Sequence, residues 1–448
     1  MRKSLKIALA GSVVLVLAAC GSGGSGTGGD SATGEVTYWL WDSNQVPAYQ
    51  ACATAFTEAN PEITVKIEQF GWEDYWTKVT AGFVGGSGPD VFVDHLSKYG
   101  EFAQQGQIVD LDELIERDGV DTSVYAEGLI DPWVGPEGGT FGLPKDFDTT
   151  AFFYNTAMLD EAGLTAEDLW SADWNPTDGG TFEDVVARLT VDTNGVRGDE
   201  PGFDPSSIAV YGLGLNPNYE ETGQMQWANF TGTLDWDYLD SNPWGTQYNF
   251  DDPEFQESIG WFYGLADKGY APASGVFSEE TLTQIGSGQV AMGTNGSWAT
   301  NSFLALDGID IGIAPGPVGV DGARGSIYNG VADSINAGSD KQDAAWEWVK
   351  FLGSTDCQDL VAEQAIVFPS IPSSSDKALE AFEAAGVDVS AFFSYLEDGN
   401  RTFLPPITLQ AGEVNALAKT ALENIALGNA DPSSLTQANE QINALLAD

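Results

Sequence analysis

The stretch from Val36 to Asp94 constrains the fold most. Val36–Trp41 (VTYWLW) is an apolar run that stops at Asp42-Ser43-Asn44, the pattern of a buried strand. Val46, Tyr49, Ala53 and Phe56 then recur at helical spacing until Asn60-Pro61 ends them. Ile63, Val65 and Ile67 alternate with Thr64, Lys66 and Glu68, which is strand periodicity. Asp74–Val84 reads as a helix closed by Gly85-Gly86, and Asp90–Asp94 (DVFVD) as a short buried strand. Strand, helix, strand, helix, strand in this order requires right-handed crossovers and a mostly parallel sheet.

The alternation continues downstream. Helices are expected around Leu96–Gln104, Leu111–Arg117, Phe182–Leu189, Phe255–Ala266 and Thr281–Ile285, and strands at Ala151–Tyr154 and Ile309–Ile313. Ala345, Trp348, Val349 and Leu352 mark a further helix. Val414, Leu417, Ala418, Ala421, Leu422 and Ile425 form an amphipathic stripe, and Leu435, Ala438, Ile442 and Leu445 a last one. No repeat of 20–50 residues is present, which argues against a solenoid.

Upstream of this body lies an address. Arg2, Lys3 and Lys6 precede an apolar run, Ile7–Ala18, that is too short to span a bilayer but suits a signal peptide. It ends in Leu17-Ala18-Ala19-Cys20, the small residues before cysteine that resemble a bacterial lipobox. Residues 1–19 are therefore expected to be removed, and Cys20 to carry the lipid that anchors the chain. An ordinary secretory signal with an incidental cysteine is the alternative. Residues 20–34, rich in Gly and Ser, read as the lipidated cysteine and a flexible tether.

Charge narrows the partners. With 17 Lys+Arg against 67 Asp+Glu, the formal net charge is −50, so nucleic acid and other polyanions are repelled. Neutral polar molecules and cations remain. His95 is the only histidine, and no GxSxG, P-loop or HExxH pattern occurs, so common catalytic arrangements have little to draw on.

Several segments, in order, carry a resemblance. They are Pro89-Asp90-Val91-Phe92; Gly142-Leu143-Pro144-Lys145-Asp146-Phe147-Asp148-Thr149-Thr150 leading to Tyr154-Asn155; Gly288–Met292 running to Gly296-Ser297-Trp298; Ile313–Pro317; and Asp343–Leu352. Together, behind a lipobox, they resemble the family 1 extracellular solute-binding proteins of sugar ABC importers, the class that includes maltose-binding protein. The resemblance implies an α/β fold of the type II periplasmic-binding-protein kind, two Rossmann-like lobes joined by hinge crossovers. By that pattern the N-terminal lobe holds 35–147 and 297–372, and the C-terminal lobe holds 148–296 and 373–448, with crossings near Asp148, Ser297 and Pro372-Ser373. It further implies a monomer that needs no cofactor, is not an enzyme, sits on the extracellular face of the cell membrane (in a Gram-positive-type envelope or a periplasm) and delivers an oligosaccharide to a transmembrane permease. A secreted glycoside hydrolase using paired carboxylates and a receptor for a polyamine or basic peptide are the competing readings.

A sugar site needs aromatic planes for C–H faces and carboxylates, amides or cations for hydroxyls. Ligands bind at the carboxyl ends of strands in such sheets. Candidates are therefore Trp41 and Asp42 after the first strand, Asp94 and His95 after DVFVD, and Lys145, Asp146 and Asp148 at the first crossing. Helix capping is the competing role for Asp42, Asp94 and His95, and a local ion pair for Lys145. Trp298 follows Asn295-Gly296-Ser297, and the resemblance supports stacking there. Trp236 lies in a polar–aromatic cluster, Tyr328 and Asn329 precede a glycine that permits close approach, and Phe403 follows Arg401-Thr402. Trp346 and Trp348 sit on an apolar helix face and read as core.

Two features stand apart. Asp192, Asn194, Asp199 and Glu200 lie in VDTNGVRGDEPGFD, an oxygen-rich loop that could hold a structural Ca²⁺, although its spacing departs from an EF-hand and a polar Asn-Gly turn is the favoured reading. Cys52 and Cys357 could pair outside the cytosol or remain two buried thiols.

Overall fold

A computed structural model describes residues 32–447. The signal segment 1–19 and Cys20 lie outside the described residues. Residues from Ala32 onward form one compact unit. The expected tether ends earlier than Gly34: that residue opens the first strand and its N–H donates to Glu62 O.

The strands are β1 (Gly34–Leu40), β2 (Ile63–Gln69), β3 (Val91–His95), β4 (Leu143–Asp148), β5 (Thr150–Asn155), β6 (Val191–Asp192), β7 (Ile208–Leu213), β8 (Val290–Gly296), β9 (Ile311–Ala314), β10 (Gly325–Ile327), β11 (Asn329–Ile335), β12 (Phe368–Pro369) and β13 (Arg401–Phe403). Six of them form a sheet ordered β12-β4-β11-β3-β1-β2, and five a second sheet ordered β6-β7-β8-β5-β9. The first helices are α1 (Val46–Ala59), α2 (Trp72–Gly85) and α3 (Leu96–Gln104).

The first three strands pair in parallel, as their crossovers require. β11 runs antiparallel to both β3 and β4, so β4 points the same way as β1 and β3. The second sheet is not mostly parallel; only β7 and β8 pair that way. β5 enters it directly from β4 across Thr149, with no helix to reverse the chain, and pairs antiparallel with β8 and β9.

The chain thus changes sheets between Asp148 and Thr150. It does not return near Ser297: β9 still pairs with β5, and only β11 rejoins the first sheet. Between them β10 pairs with β13 in a separate two-stranded ribbon. β12 lies in the first sheet, and the helix Pro372–Ala384 follows it.

The core of the first sheet gathers α1 and the helix Gln342–Leu352, including Trp346 and Trp348, both fully buried. Cys52 of α1 and Cys357 form a disulfide with a sequence separation of 305. A larger apolar cluster packs Phe152, Trp174, Trp227, Phe230 and Phe255 against the helices Ala411–Ala426 and Leu435–Leu446. No helix among the described residues is long and apolar enough to cross a membrane.

Candidate functional site

The common direction of β1, β3 and β4 brings Trp41-Asp42, Asp94-His95 and Asp146–Asp148 to one end of the first sheet. Asn329, the first residue of the antiparallel β11, meets them there, opposite Asp148. Asn329 Nδ2 lies 2.8 Å from His95 Nε2 and 3.4 Å from Asp148 Oδ2. Asp148 Oδ1 also accepts from Gln224 Nε2 at 2.9 Å, from the loop that follows β7. One polar chain therefore runs from the first sheet to a segment of the second.

A ring of aromatics stands beside it. Trp72, Tyr75 and Trp76 share one face of α2 by their helical spacing. The Trp41 ring meets Trp72 at 5.0 Å, Tyr75 at 5.2 Å and Trp76 at 5.6 Å, and Trp72 lies 5.6 Å from His95. Tyr75 is buried and anchored through its hydroxyl on Val93 O. The three tryptophans are only half-buried. They present planar apolar surface of the kind that can cover a sugar ring.

Electrostatically the site is acid-rich. Burial pushes Asp146 and Asp94 up to about 7, holds Asp148 well above its ordinary value, and raises Asp42 from its own. Burial also lowers His95 to about 3, so its ring is neutral. It occupies the N-cap of α3, with Nδ1 2.9 Å from Ser97 Oγ. Of the twelve buried side-chain polar atoms without a partner among the described residues, four belong to candidate or neighbouring site residues: Asp146 Oδ2, Asn329 Oδ1, Ser297 Oγ and Trp76 Nε1. Buried polar groups are nearly always satisfied, so these four are free to take a partner from outside, although the core residues Trp174, Trp227 and Trp348 carry unpartnered indole N–H groups as well.

Other candidate residues take different places. Asp94 points to its own surroundings: Oδ1 accepts from His95 N–H, and Oδ2 lies 3.0 Å from Ser334 Oγ. Ser334 has one hydroxyl proton, and Phe141 O lies nearer at 2.8 Å. A protonated Asp94 donating to Ser334 satisfies all three groups. Asp42 accepts from Asn44 N and Gln45 Nε2, the turn that starts α1. Lys145 forms an ion pair, but with Asp333 and not with its neighbours Asp146 and Asp148. A register shift opposite Val331/Ala332 leaves it as the extra residue of a bulge. Its Nζ then reaches Tyr38 Oη at 2.8 Å and Asp333 Oδ1 at 3.5 Å, over the Tyr49 ring.

Trp298 is half-buried at the seam between two apolar clusters, and its ring lies against Gly296, where a Cβ would come within 1.8 Å of it. Tyr328 packs on Phe147, and its N–H donates to Phe403 O. Phe403 lies against Gly232 and Tyr238. Trp236 stacks on Phe255 at 4.2 Å and donates Nε1–H to Asn249 O, which commits one face and its polar edge to packing.

The Ca²⁺ expectation is corrected. Asp192 is buried and its oxygens accept from the N–H groups of Asn194, Val196 and Asp204, so the loop closes on itself. Asp199 and Glu200 turn outward and pair with Arg188. No group of acidic, His or Cys side chains among the described residues is arranged to hold a metal.

Trp72, Trp76, Glu220, Glu221 and Gln224 were not foreseen from sequence. Reading α2 from Asp74 left out Trp72, the residue whose spacing to Trp76 signals a shared face. The other three lie in a polar loop with no periodicity.

Comparison with known proteins follows the same lines. The profile of a family described as bacterial extracellular solute-binding protein matches residues 51–386. The galactooligosaccharide-binding protein of Bacillus subtilis is 24% identical over 448 residues, covering 96% of this chain and 94% of its own. Among solved structures, an ABC substrate-binding protein of Listeria monocytogenes in complex with cycloalternan aligns with a TM-score of 0.78 at 20% identity, covering 92% of this chain and 99% of that one. The GacH receptor of Streptomyces glaucescens, solved unliganded and with acarbose, aligns at 0.74 and 22% identity, covering 93% and 99%. The fold is thus the type II periplasmic-binding-protein-like α/β architecture.

Proposed function

Because the chain belongs to the bacterial extracellular solute-binding protein family, whose members are binding proteins and not enzymes, we propose that it captures an oligosaccharide and hands it unaltered to the permease of an ABC importer. The observation that carries this reading is the aromatic face of Trp41, Trp72 and Trp76 beside the Asp148–Asn329–His95 chain. Sugar C–H faces would stack on the rings, and hydroxyls would bond to Asp146 Oδ2 and Asn329 Oδ1, which lack protein partners. The similarity to a galactooligosaccharide-binding protein supports the ligand class.

The two sheets would act as two lobes, with the polypeptide passing between them at Thr149 and again between β9 and β11. Ligand touching both would favour the closed arrangement, since only differential affinity shifts such an equilibrium. Gln224, reaching Asp148 from the second sheet's loop, would be one of the contacts made on closure. The lipid on Cys20 would hold the receptor at the extracellular face of the membrane, and a monomer suffices for this task. Asp42, Lys145, Tyr328, Trp298 and Phe403 would shape and support the site.

The test is to incubate the protein with a mixed pool of neutral oligosaccharides, wash, denature and identify what is released by mass spectrometry. One or a few sugars should be retained and returned with unchanged mass. Retention of none, or recovery of shortened products, would overturn the reading.

A further inference from the structure

Trp244 has a φ of +71°, a left-handed backbone that a bulky residue rarely adopts. Such a conformation persists only where the surroundings fix it. The residue lies at the tip of a hairpin whose base, Leu239 and Tyr248, pairs antiparallel within the apolar cluster that packs on the second sheet. Tyr248 N–H donates to Asn443 Oδ1 of the helix Leu435–Leu446 at 2.6 Å. Asp240 Oδ1 accepts from the N–H groups of Thr246 and Gln247 and closes the turn. Asn242 bonds Leu404 O, Pro405 O and Ile407 N–H, and Trp244 N–H donates to Ile407 O at 3.0 Å. The tip is thus strapped to the segment that leads into the helix Ala411–Ala426.

The Trp244 ring, however, belongs to the other half. It packs against the cluster of Phe92, Tyr99, Phe102 and Trp133 beside the first sheet, 5.7 Å from Tyr99, and Nε1–H donates to Val134 O at 3.1 Å. Gly100 of α3 makes the room: a Cβ there would come within 2.8 Å of the ring and 2.9 Å of Thr408 O. Next to it, Glu101 Oε2 accepts from Gly412 N–H at 3.3 Å. α3 is therefore a surface on which the two halves meet, and it starts at His95 in the site. None of the partners of Trp244 is a candidate sugar contact. Yet Trp41 and Trp76 pack against the same cluster, and the docked ring coexists with the bond from Gln224 to Asp148.

Resting on the reading of two closing lobes, we propose that Trp244 is a latch, whose docking over Gly100 holds the two halves together and sets sugar affinity without touching sugar. Apparent affinity scales with the fraction of molecules already in the competent arrangement. A docked indole raises that fraction. Releasing it lowers affinity for every sugar by the same factor, whereas losing a stacking ring affects one sugar more than another. Trp244 is in this sense a positioning residue.

Small-angle X-ray scattering of the sugar-free protein reads the placement of the halves directly. The native protein should show the radius of gyration of the docked arrangement, and Trp244→Ala and Gly100→Ala should each show a larger one. Gly100→Ala is the sharper variant: alanine is the better helix residue, so α3 itself gains, while the added methyl group has no room between Trp244 and Thr408 O. It decides alone if Trp244→Ala fails to fold. In the pooled capture of neutral oligosaccharides, both variants should retain the same sugars as the native protein, in the same proportions, at least about fivefold more weakly. Trp244→Phe, which keeps the apolar contact and loses the bond to Val134, should fall between. An unchanged radius in the folded variants overturns the latch, and so does stronger retention, the sign of a contact that holds the halves apart. If the native protein retains no sugar, the oligosaccharide reading falls and the scattering comparison still decides the latch.

Discussion

Asp146 and Asp192 are the same residue in nearly the same degree of burial, 4% and 1% exposed, each on a strand. Their surroundings differ. Around Asp192 three backbone N–H groups outweigh the burial that would otherwise raise its pKa, and it stays below the usual carboxylate range. Burial governs Asp146 instead, with Lys145 the principal opposing influence, and it is pushed up to about 7. The difference teaches how to read a buried acid. One that owns its donors is a fastening of the chain, while one that lacks them is open to something from outside.

Replacing the aromatic wall is the largest perturbation available on the site side. Trp72→Ala and Trp41→Ala should each weaken oligosaccharide binding by about tenfold or more, read by calorimetry. Trp236→Ala, on the packing side, should lower the thermal midpoint and leave affinity within about twofold. The reverse outcome would move the binding surface to the second sheet.

How much of this was legible in the sequence follows from range. The βαβαβ start was readable because periodicity is local, and so were the strand-end positions Trp41 and His95, whereas β4 gave no alternation of its own and Asp146 and Asp148 were placed only at a crossing. β9 was recognisable as a strand, yet its pairing with β5 rather than with the first sheet depends on partners far along the chain. Glu221 and Gln224 sit in a loop whose composition resembles any other. For Lys145 the sequence left a ligand role and a local ion pair both open, and no local signal announces the bulge that points it at Asp333.

Asp192→Ala comes next. It strands three backbone N–H groups and should lower the thermal midpoint by several degrees or more while sugar affinity stays within about twofold. An unchanged midpoint would mean the loop does not depend on this carboxylate, and the contrast with Asp146 would lose one side.

A smaller effect concerns pH. Asp94 and Asp146 keep their protons to about 7 in the folded protein, whereas an unfolded aspartate releases its proton near 3.9. The folded state therefore binds more protons between these values, and stability is lost as pH rises through that window. The thermal midpoint should fall between about pH 5 and pH 8. Asp94→Asn, whose amide can donate to Ser334 as the protonated acid does, should flatten the slope. A midpoint that rises over this range would contradict the assignment. Smallest of all, millimolar Ca²⁺ or its chelation should leave the midpoint within about 1 °C, because Asp192 is already satisfied by the loop; a larger stabilisation would reinstate a metal there.

The most direct measurement is an equilibrium titration of tryptophan fluorescence with the sugar recovered in the capture experiment, comparing the native protein with Trp72→Phe and Trp236→Phe. A saturating change that persists in Trp236→Phe and is largely lost in Trp72→Phe is the predicted result. A change that survives without Trp72 and vanishes without Trp236 would contradict a sugar site at the carboxyl ends of β1, β3 and β4.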